Sequence, residues 1–301
     1  MSLLLKWLES MHEDLRITNN CSRKRNIRST CSLCFESCNS SALAINPHSI
    51  EIDPERCTSC GECLINCPLS AIEGIAVTRE FEKNSLLYKD DFIPTEKELM
   101  IYKKRGLNSI TFNSAPLNQA WKIVLDETNR MLSQVDQSPI EVVQSEFDEK
   151  LSRRTLFTSL QSGGKKLAKS MAPASWKMEA NEWNLANYFP EYQFYTVEMD
   201  KNKCTLCKAC FTFCLQEVFH IKEIFLHIES EKCVNCTDCT DICPEDAIQI
   251  KTKIKKKSDL NEPIHTMKCQ DCGRFFHSFQ AERNKCPICI NRAPDWLSPY
   301  Q

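Results

Sequence analysis

Glycine is nearly absent from this chain: 6 residues in 301. A glycine-rich phosphate loop between a strand and a helix, the fingerprint of dinucleotide binding, therefore has little material to form from. Long apolar runs are missing too. None approaches the roughly 18 residues that a membrane-spanning helix needs. A net charge of −2 gives no bulk attraction to nucleic acid or to an anionic membrane. Residues Met1 to Leu15 lack the basic, apolar and small-residue succession of a secretory leader. Leu3, Leu4, Leu5, Trp7, Leu8 and Met11 instead suit one face of a short amphipathic helix within residues 1–20. Ser152-Arg153-Arg154-Thr155-Leu156-Phe157 resembles a twin-arginine export signal, but it stands mid-chain and is read as an exposed helix segment. The expected setting is the reducing cytoplasm. There, 20 cysteines read as metal or cluster ligands rather than disulfides.

The cysteines fall into three groups, Cys21 to Cys67, Cys204 to Cys243, and Cys269 to Cys289. The first two repeat each other. Cys57, Cys60, Cys63 and Cys67-Pro68 have the spacing of Cys233, Cys236, Cys239 and Cys243-Pro244. Ala71-Ile72 follows the one as Ala247-Ile248 follows the other, and the interval from Cys38 to Cys57 equals that from Cys214 to Cys233. Such matched offsets point to one module present twice, over residues 21–80 and 201–252. Short strands around Ala42–Ile45 and Ser49–Ile52, with Asn46-Pro47-His48 between them, have counterparts at Val218–Ile221 and Ile224–Ile228. The fold class expected is α+β, in units too small to bury much apolar surface unless a cluster serves as the core.

Residues 81–200 read as a helix-rich middle region. Thr95 and Glu98 make a capping box for a helix ending near Gly106, and Ser109–Phe112 suits a strand. Pro116 is expected to open a helix carrying Leu117, Trp121, Val124, Leu125, Leu132 and Val135, with further helix from about Glu141 to Met171. Trp121, Trp176 and Trp183 read as packing residues.

In a Cys-x2-Cys-x2-Cys-x3-Cys-Pro run, three thiolates on a tight loop reach one [4Fe–4S] cluster, and the fourth ligates its neighbour. Crossing over assigns one cluster to Cys204, Cys207, Cys210 and Cys243, and another to Cys233, Cys236, Cys239 and Cys214. In the first module, Cys57, Cys60, Cys63 and Cys38 take one cluster. The other run is irregular. Cys31, Cys34 and Cys38 match the last three positions, but Arg28 stands where the first cysteine belongs. Cys21, ten residues before Cys31, is the nearest candidate, and closing so short a loop costs little. That cluster then uses Cys21, Cys31, Cys34 and Cys67. The alternative leaves Cys21 free, with a three-iron or labile site. Arg23, Lys24, Arg25 and Arg28 lie beside it, and positive charge there raises a cluster's potential. A radical S-adenosylmethionine site needs Cys-x3-Cys-x2-Cys, but Ser41, Ser70, Glu217 and Asp246 occupy the four positions where the last cysteine would fall. No iron is left open for substrate, which favours electron transfer over catalysis.

Cys269, Cys272, Cys286 and Cys289 have the spacing of a four-cysteine zinc ribbon over residues 258–301. A rubredoxin-like iron site is the alternative, although Ile290 stands where its second glycine belongs. Lys251 to Lys257 reads as a solvated linker into this ribbon.

On these motifs the chain resembles bacterial-type 2[4Fe–4S] ferredoxins, duplicated. It also resembles the multi-cluster ferredoxin-like subunits of formate dehydrogenases, molybdenum or tungsten oxidoreductases and hydrogenases. The resemblance implies that single electrons pass through the chain to or from a partner dehydrogenase, reductase or hydrogenase subunit. Two other readings stay open: an accessory or assembly protein of a redox enzyme, and an oxidoreductase subunit with an unrecognised catalytic site. The expected complement is four [4Fe–4S] clusters and one Zn2+.

Overall fold

The computed structural model describes residues 15–46, 49–75, 77, 79–113, 116–144, 176 and 178–290. The amphipathic helix expected before residue 15, the Pro47-His48 turn, the twin-arginine-like segment and the stretch from 145 to 171 lie outside the described residues. The chain divides into two compact units. One holds Cys31–Tyr192, everything up to Ile27, and Ile254–Lys256. The other holds Arg28–Thr30, Gln193–Lys253 and Lys257 onward.

In the first unit, β1 (Arg16–Ile17), α1 (Ser22–Arg25), α2 (Leu33–Glu36), β2 (Leu43–Asn46), β3 (Ser49–Ile52), α3 (Glu62–Asn66) and β4 (Ile72–Glu73) make the cysteine module. β2 and β3 form an antiparallel hairpin from Leu43↔Ile52 to Asn46↔Ser49. β1 pairs antiparallel with β4. Residues that precede the motif thus close the edge of the strand that follows its last cysteine.

Up to residue 144, the described part of the middle region holds two helices and four strands, where one or two strands were expected. β5 (Phe81–Glu82), β6 (Ser85–Leu87), β7 (Ser109–Phe112) and β8 (Glu141–Gln144) form one sheet in that order. β6–β7 and β7–β8 are parallel, so α4 (Glu96–Lys104) and α5 (Gln119–Gln134) are the crossovers of a β-α-β-α-β run. β7 is the strand expected at Ser109–Phe112; the other three are 2 to 4 residues long, and β8 is exposed along its length, so neither length nor alternation signals them. Residues 141–144 are therefore strand where helix was expected. α5 starts later than Pro116 implies: Asn118 is its cap, its side chain accepting from Trp121 N–H. Thr95 Oγ1 accepts from Glu98 N–H, but the Glu98 carboxylate does not return to the cap; it turns to Arg79. At the other end of α4, Gly106 (φ 109°) sits left-handed, and Leu107 N–H reaches Tyr102 C=O.

Leu99, Met100, Ile101, Tyr102, Leu107, Ile110, Trp121 and Leu132 form the buried core between helices and sheet. The three tryptophans pack as expected. Trp121 donates to Phe92 C=O at 2.6 Å. Trp176 stacks on Phe81 at 4.3 Å, and Trp183 meets Tyr102 edge-on.

After α6 (Leu185–Tyr188) comes β9 (Tyr192–Met199), then α7 (Ala209–Phe213), β10 (Phe219–Lys222), β11 (Phe225–Ile228), α8 (Asp238–Ile242) and β12 (Ile248–Lys256). β12 pairs with β9, so most of the lysine-rich run is strand rather than linker. β13 (Leu260–Pro263) adds to the β10–β11 hairpin as a third strand, from Phe225↔Pro263 to Ile228↔Leu260. The segment expected to begin the ribbon thus completes the second module's sheet. Val197, Val218, Phe219, Leu226, Ile228, Ile248 and Ile264 form its core together with Cys210 and Cys239. The C-terminal hairpin is β14 (His265–Lys268) and β15 (Phe275–Ser278), followed by α9 (Pro287–Ile290).

Candidate iron–sulfur and metal sites

Each ferredoxin-like run is built by the same local device. A one-turn helix carries the third cysteine: Cys34 on α2, Cys63 on α3, Cys210 on α7 and Cys239 on α8. The fourth cysteine follows at the helix end. Three residues later the backbone turns left-handed, at Ser41, Ser70, Glu217 and Asp246, with φ between 47° and 51°. These are the four positions that lack the extra cysteine of a radical enzyme. The turn sends the next N–H back to the fourth sulfur: Ala42 to Cys38 at 3.3 Å, Ala71 to Cys67 at 3.2 Å, Val218 to Cys214 at 3.5 Å and Ala247 to Cys243 at 3.4 Å. Hydrogen bonds to sulfur stabilise its anionic form.

Three of the four loops carry a second signature. Ser59 and Gly61, Leu206 and Lys208, and Asn235 and Thr237 are all left-handed, two and four residues after the first cysteine. At Gly61 a side chain is blocked as well as strained, since a Cβ would lie 2.7 Å from Val77 Cγ2. The irregular run has no such pair. Its first ligand loop is replaced by α1, with Cys21 as N-cap.

Two of the four expected sets each line one cavity. Cys21, Cys31, Cys34 and Cys67 line one cavity; Cys204, Cys207, Cys210 and Cys243 line another. Burial pushes the Cys34 thiol up to about 12, with Cys67, Cys31 and Cys21 adding like-charge repulsion. Burial, then Cys60, Cys34, Cys57 and Cys38, push Cys63 up to about 12. Burial, then Cys204, Cys207 and Cys243, do the same to Cys210. Cys239 is raised by burial and then by Cys233, Cys236, Cys214 and Cys210. Cys38 moves the other way: burial raises it, but the Ser40 hydroxyl and the N–H groups of Ala42, Leu43 and Ser40 bring it below the ordinary thiol value. Neighbouring thiols that repel as thiolates are a donor set suited to a cationic core.

The C-terminal set differs in scale. The Sγ atoms of Cys269, Cys272, Cys286 and Cys289 all lie within 4.8 Å of one another, and Cys272 and Cys286 are 3.9 Å apart. A tetrahedral ion with metal–sulfur bonds of about 2.3 Å requires sulfurs about 3.8 Å apart. Among the described residues no other cysteine set is drawn this close. Backbone N–H groups of Cys272 and Cys286 bring Cys269 down to about 6, which favours the ligating thiolate.

Residues outside the motifs complete the first module. Arg79 donates to Glu98 at 2.8 Å, to Glu62 at 2.6 Å and to Cys60 C=O at 2.9 Å, and it lies over the Phe92 ring at 3.7 Å. All three charged side chains are at least nine-tenths buried. Burial, then repulsion from Glu98, pushes the Glu62 carboxyl up to about 7 against the pull of Arg79. Lys97 donates to Ile65 C=O at 2.7 Å, and burial brings it down to about 8. No spacing rule links Lys97, Glu98 or Arg79 to the cysteines, so the sequence carried no signal for them.

Residues 28–71 match a 4Fe–4S dicluster domain. Residues 225–278 match a second one. Both cysteine modules are therefore similar to 4Fe–4S dicluster domains. The first match leaves Cys21 outside. The second takes in Cys233 to Cys243 and runs on to Cys269 and Cys272, leaving Cys204 to Cys214 outside. No curated protein matches the chain. The two matches support a duplicated ferredoxin-like iron–sulfur protein with an electron-transfer role. No helix among the described residues is long and apolar enough to cross a membrane.

Proposed function

We propose that this chain relays single electrons to or from a partner oxidoreductase through four [4Fe–4S] clusters, with one Zn2+ in the C-terminal ribbon. The observation that carries this reading is the crossed grouping of the cysteines. Around two cavities the fourth cysteine comes from the other run: Cys67 beside Cys21, Cys31 and Cys34, and Cys243 beside Cys204, Cys207 and Cys210. A [4Fe–4S] cluster, when bound, supplies reversible one-electron chemistry. The chain's own contribution is to bury the thiols, to aim backbone N–H groups at the fourth sulfurs, and to leave no ligand position open to substrate. A reducing, cytoplasmic setting is the one in which such closely spaced cysteines serve as cluster ligands. Anaerobic preparation of the full chain is expected to give about 16 irons, from four clusters of four, with matching sulfide. EPR signals should appear on reduction. A chain that holds zinc alone defeats the proposal.

A second reading, an accessory protein of a redox enzyme, draws on the ribbon, where Phe275 is 74% exposed and Ile288 71%. Clusters that resist reduction at biological potentials favour it.

A further inference from the structure

The first turn of α4 carries two charged residues that point into the first cysteine module. Glu98 closes on Arg79, and Glu62 closes on the same guanidinium. That cation is already answered by carboxylates. Lys97 is not. Its Nζ donates to the carbonyl of Ile65 at 2.7 Å, two residues before Cys67, and no carboxylate is paired with it among the described residues. A desolvated ammonium without an anion is costly, so the site calls for negative charge. From the inserted loop, Arg23 Nε donates to the carbonyl of Cys31 at 2.5 Å, and its charge also reaches the Cys31 thiol. The four thiols Cys21, Cys31, Cys34 and Cys67 are thus flanked by two cations. The set of Cys38, Cys57, Cys60 and Cys63 is flanked by a guanidinium whose charge Glu62 and Glu98 already balance.

We propose that Lys97 is the counter-cation of a cluster on Cys21, Cys31, Cys34 and Cys67, and that with Arg23 it makes this cluster the electron-accepting end of its module. Reduction adds one electron and one negative charge, and no bond is made or broken. A fixed positive charge in a low-dielectric surrounding stabilises the reduced form more than the oxidised form. Lys97 acts through its field and touches no reacting atom, so it is a positioning residue. The inference rests on the cluster reading above.

The test is an EPR-monitored redox titration of the full, anaerobically reconstituted chain. Cys21→Ser first identifies which couple belongs to this cluster. Lys97→Met is expected to shift that couple to lower potential and leave the others in place, with iron content unchanged. Lys97→Arg is expected to hold it near the wild-type value, and Arg23→Gln to lower it. If Lys97→Met fails to hold iron, Arg23→Gln decides alone. A couple that stays put in both neutral variants, or a shift confined to a different couple, overturns the inference and leaves the cluster reading intact. A wild-type chain with no reducible signal brings down that reading itself.

Discussion

Cys21 is the residue on which the first module's regularity turns. Nine residues separate it from Cys31, where two do in the regular runs. α1 folds the intervening segment, with Arg25 N–H and Asn26 N–H bonding back to Cys21 and Ser22 carbonyls, and the thiol ends buried beside Cys31, Cys34 and Cys67. Cys21→Ser is expected to lower iron by up to about 4 per chain, or to convert one cluster into a three-iron form visible by EPR. Iron and spectra identical to wild type would show that Cys21 is no ligand. Spacing alone nominated Cys21. Only the fold brings it to the other three, because loop closure depends on where α1 and β1 dock.

At the scale of elements, α4 is tied to α3 by charge as well as by packing. Arg79 is shared by Glu62 on α3 and Glu98 on α4, and Lys97 bonds the C-terminal turn of α3. Removing one partner of a buried ion cluster strands the others without solvent. Arg79→Met is therefore expected to destabilise the folded chain by about 3–5 kcal/mol. Adding Glu62→Gln should recover part of the loss, since it removes one stranded carboxylate. Denaturant midpoints of the single and double variants, read by far-UV circular dichroism, check both statements. A single variant as stable as wild type would mean that the network is solvated. Glu98 was legible as the partner of Thr95 in a capping box, and the backbone half of that box is present. Its side chain was not legible, because its partner, Arg79, lies 19 residues away in the chain.

At the scale of the whole molecule, the two kinds of thiol site predict separable metal contents. The four C-terminal sulfurs all lie within 4.8 Å of one another, a separation a single ion can bridge. Cys272→Ser is expected to remove about one zinc per chain and leave iron and the visible spectrum unchanged. Elemental analysis reads both metals at once. Loss of iron instead would show that the ribbon does not hold an independent zinc. The duplication also appears at this scale. The second module repeats its ligand-loop backbone in both runs, and the first does so in only one. That asymmetry follows from replacing a tight ligand loop by α1.

Close spacing along the chain sets local geometry, so the sequence alone determined the cysteine loops and the hairpins beside them. It also placed the strand at 109–112 and the helix from Thr95 to Gly106. Tertiary structure decided the rest. The parallel sheet of the middle region escaped the sequence, because strands of 2 to 4 residues owe their stability to neighbours far along the chain rather than to their own pattern. The lysine run became a strand because β9 was there to pair with it. The charges beside the thiols, Lys97 and Arg79, come from segments with no cysteine at all. Such long-range electrostatic contacts depend on how elements pack, and no local spacing encodes them.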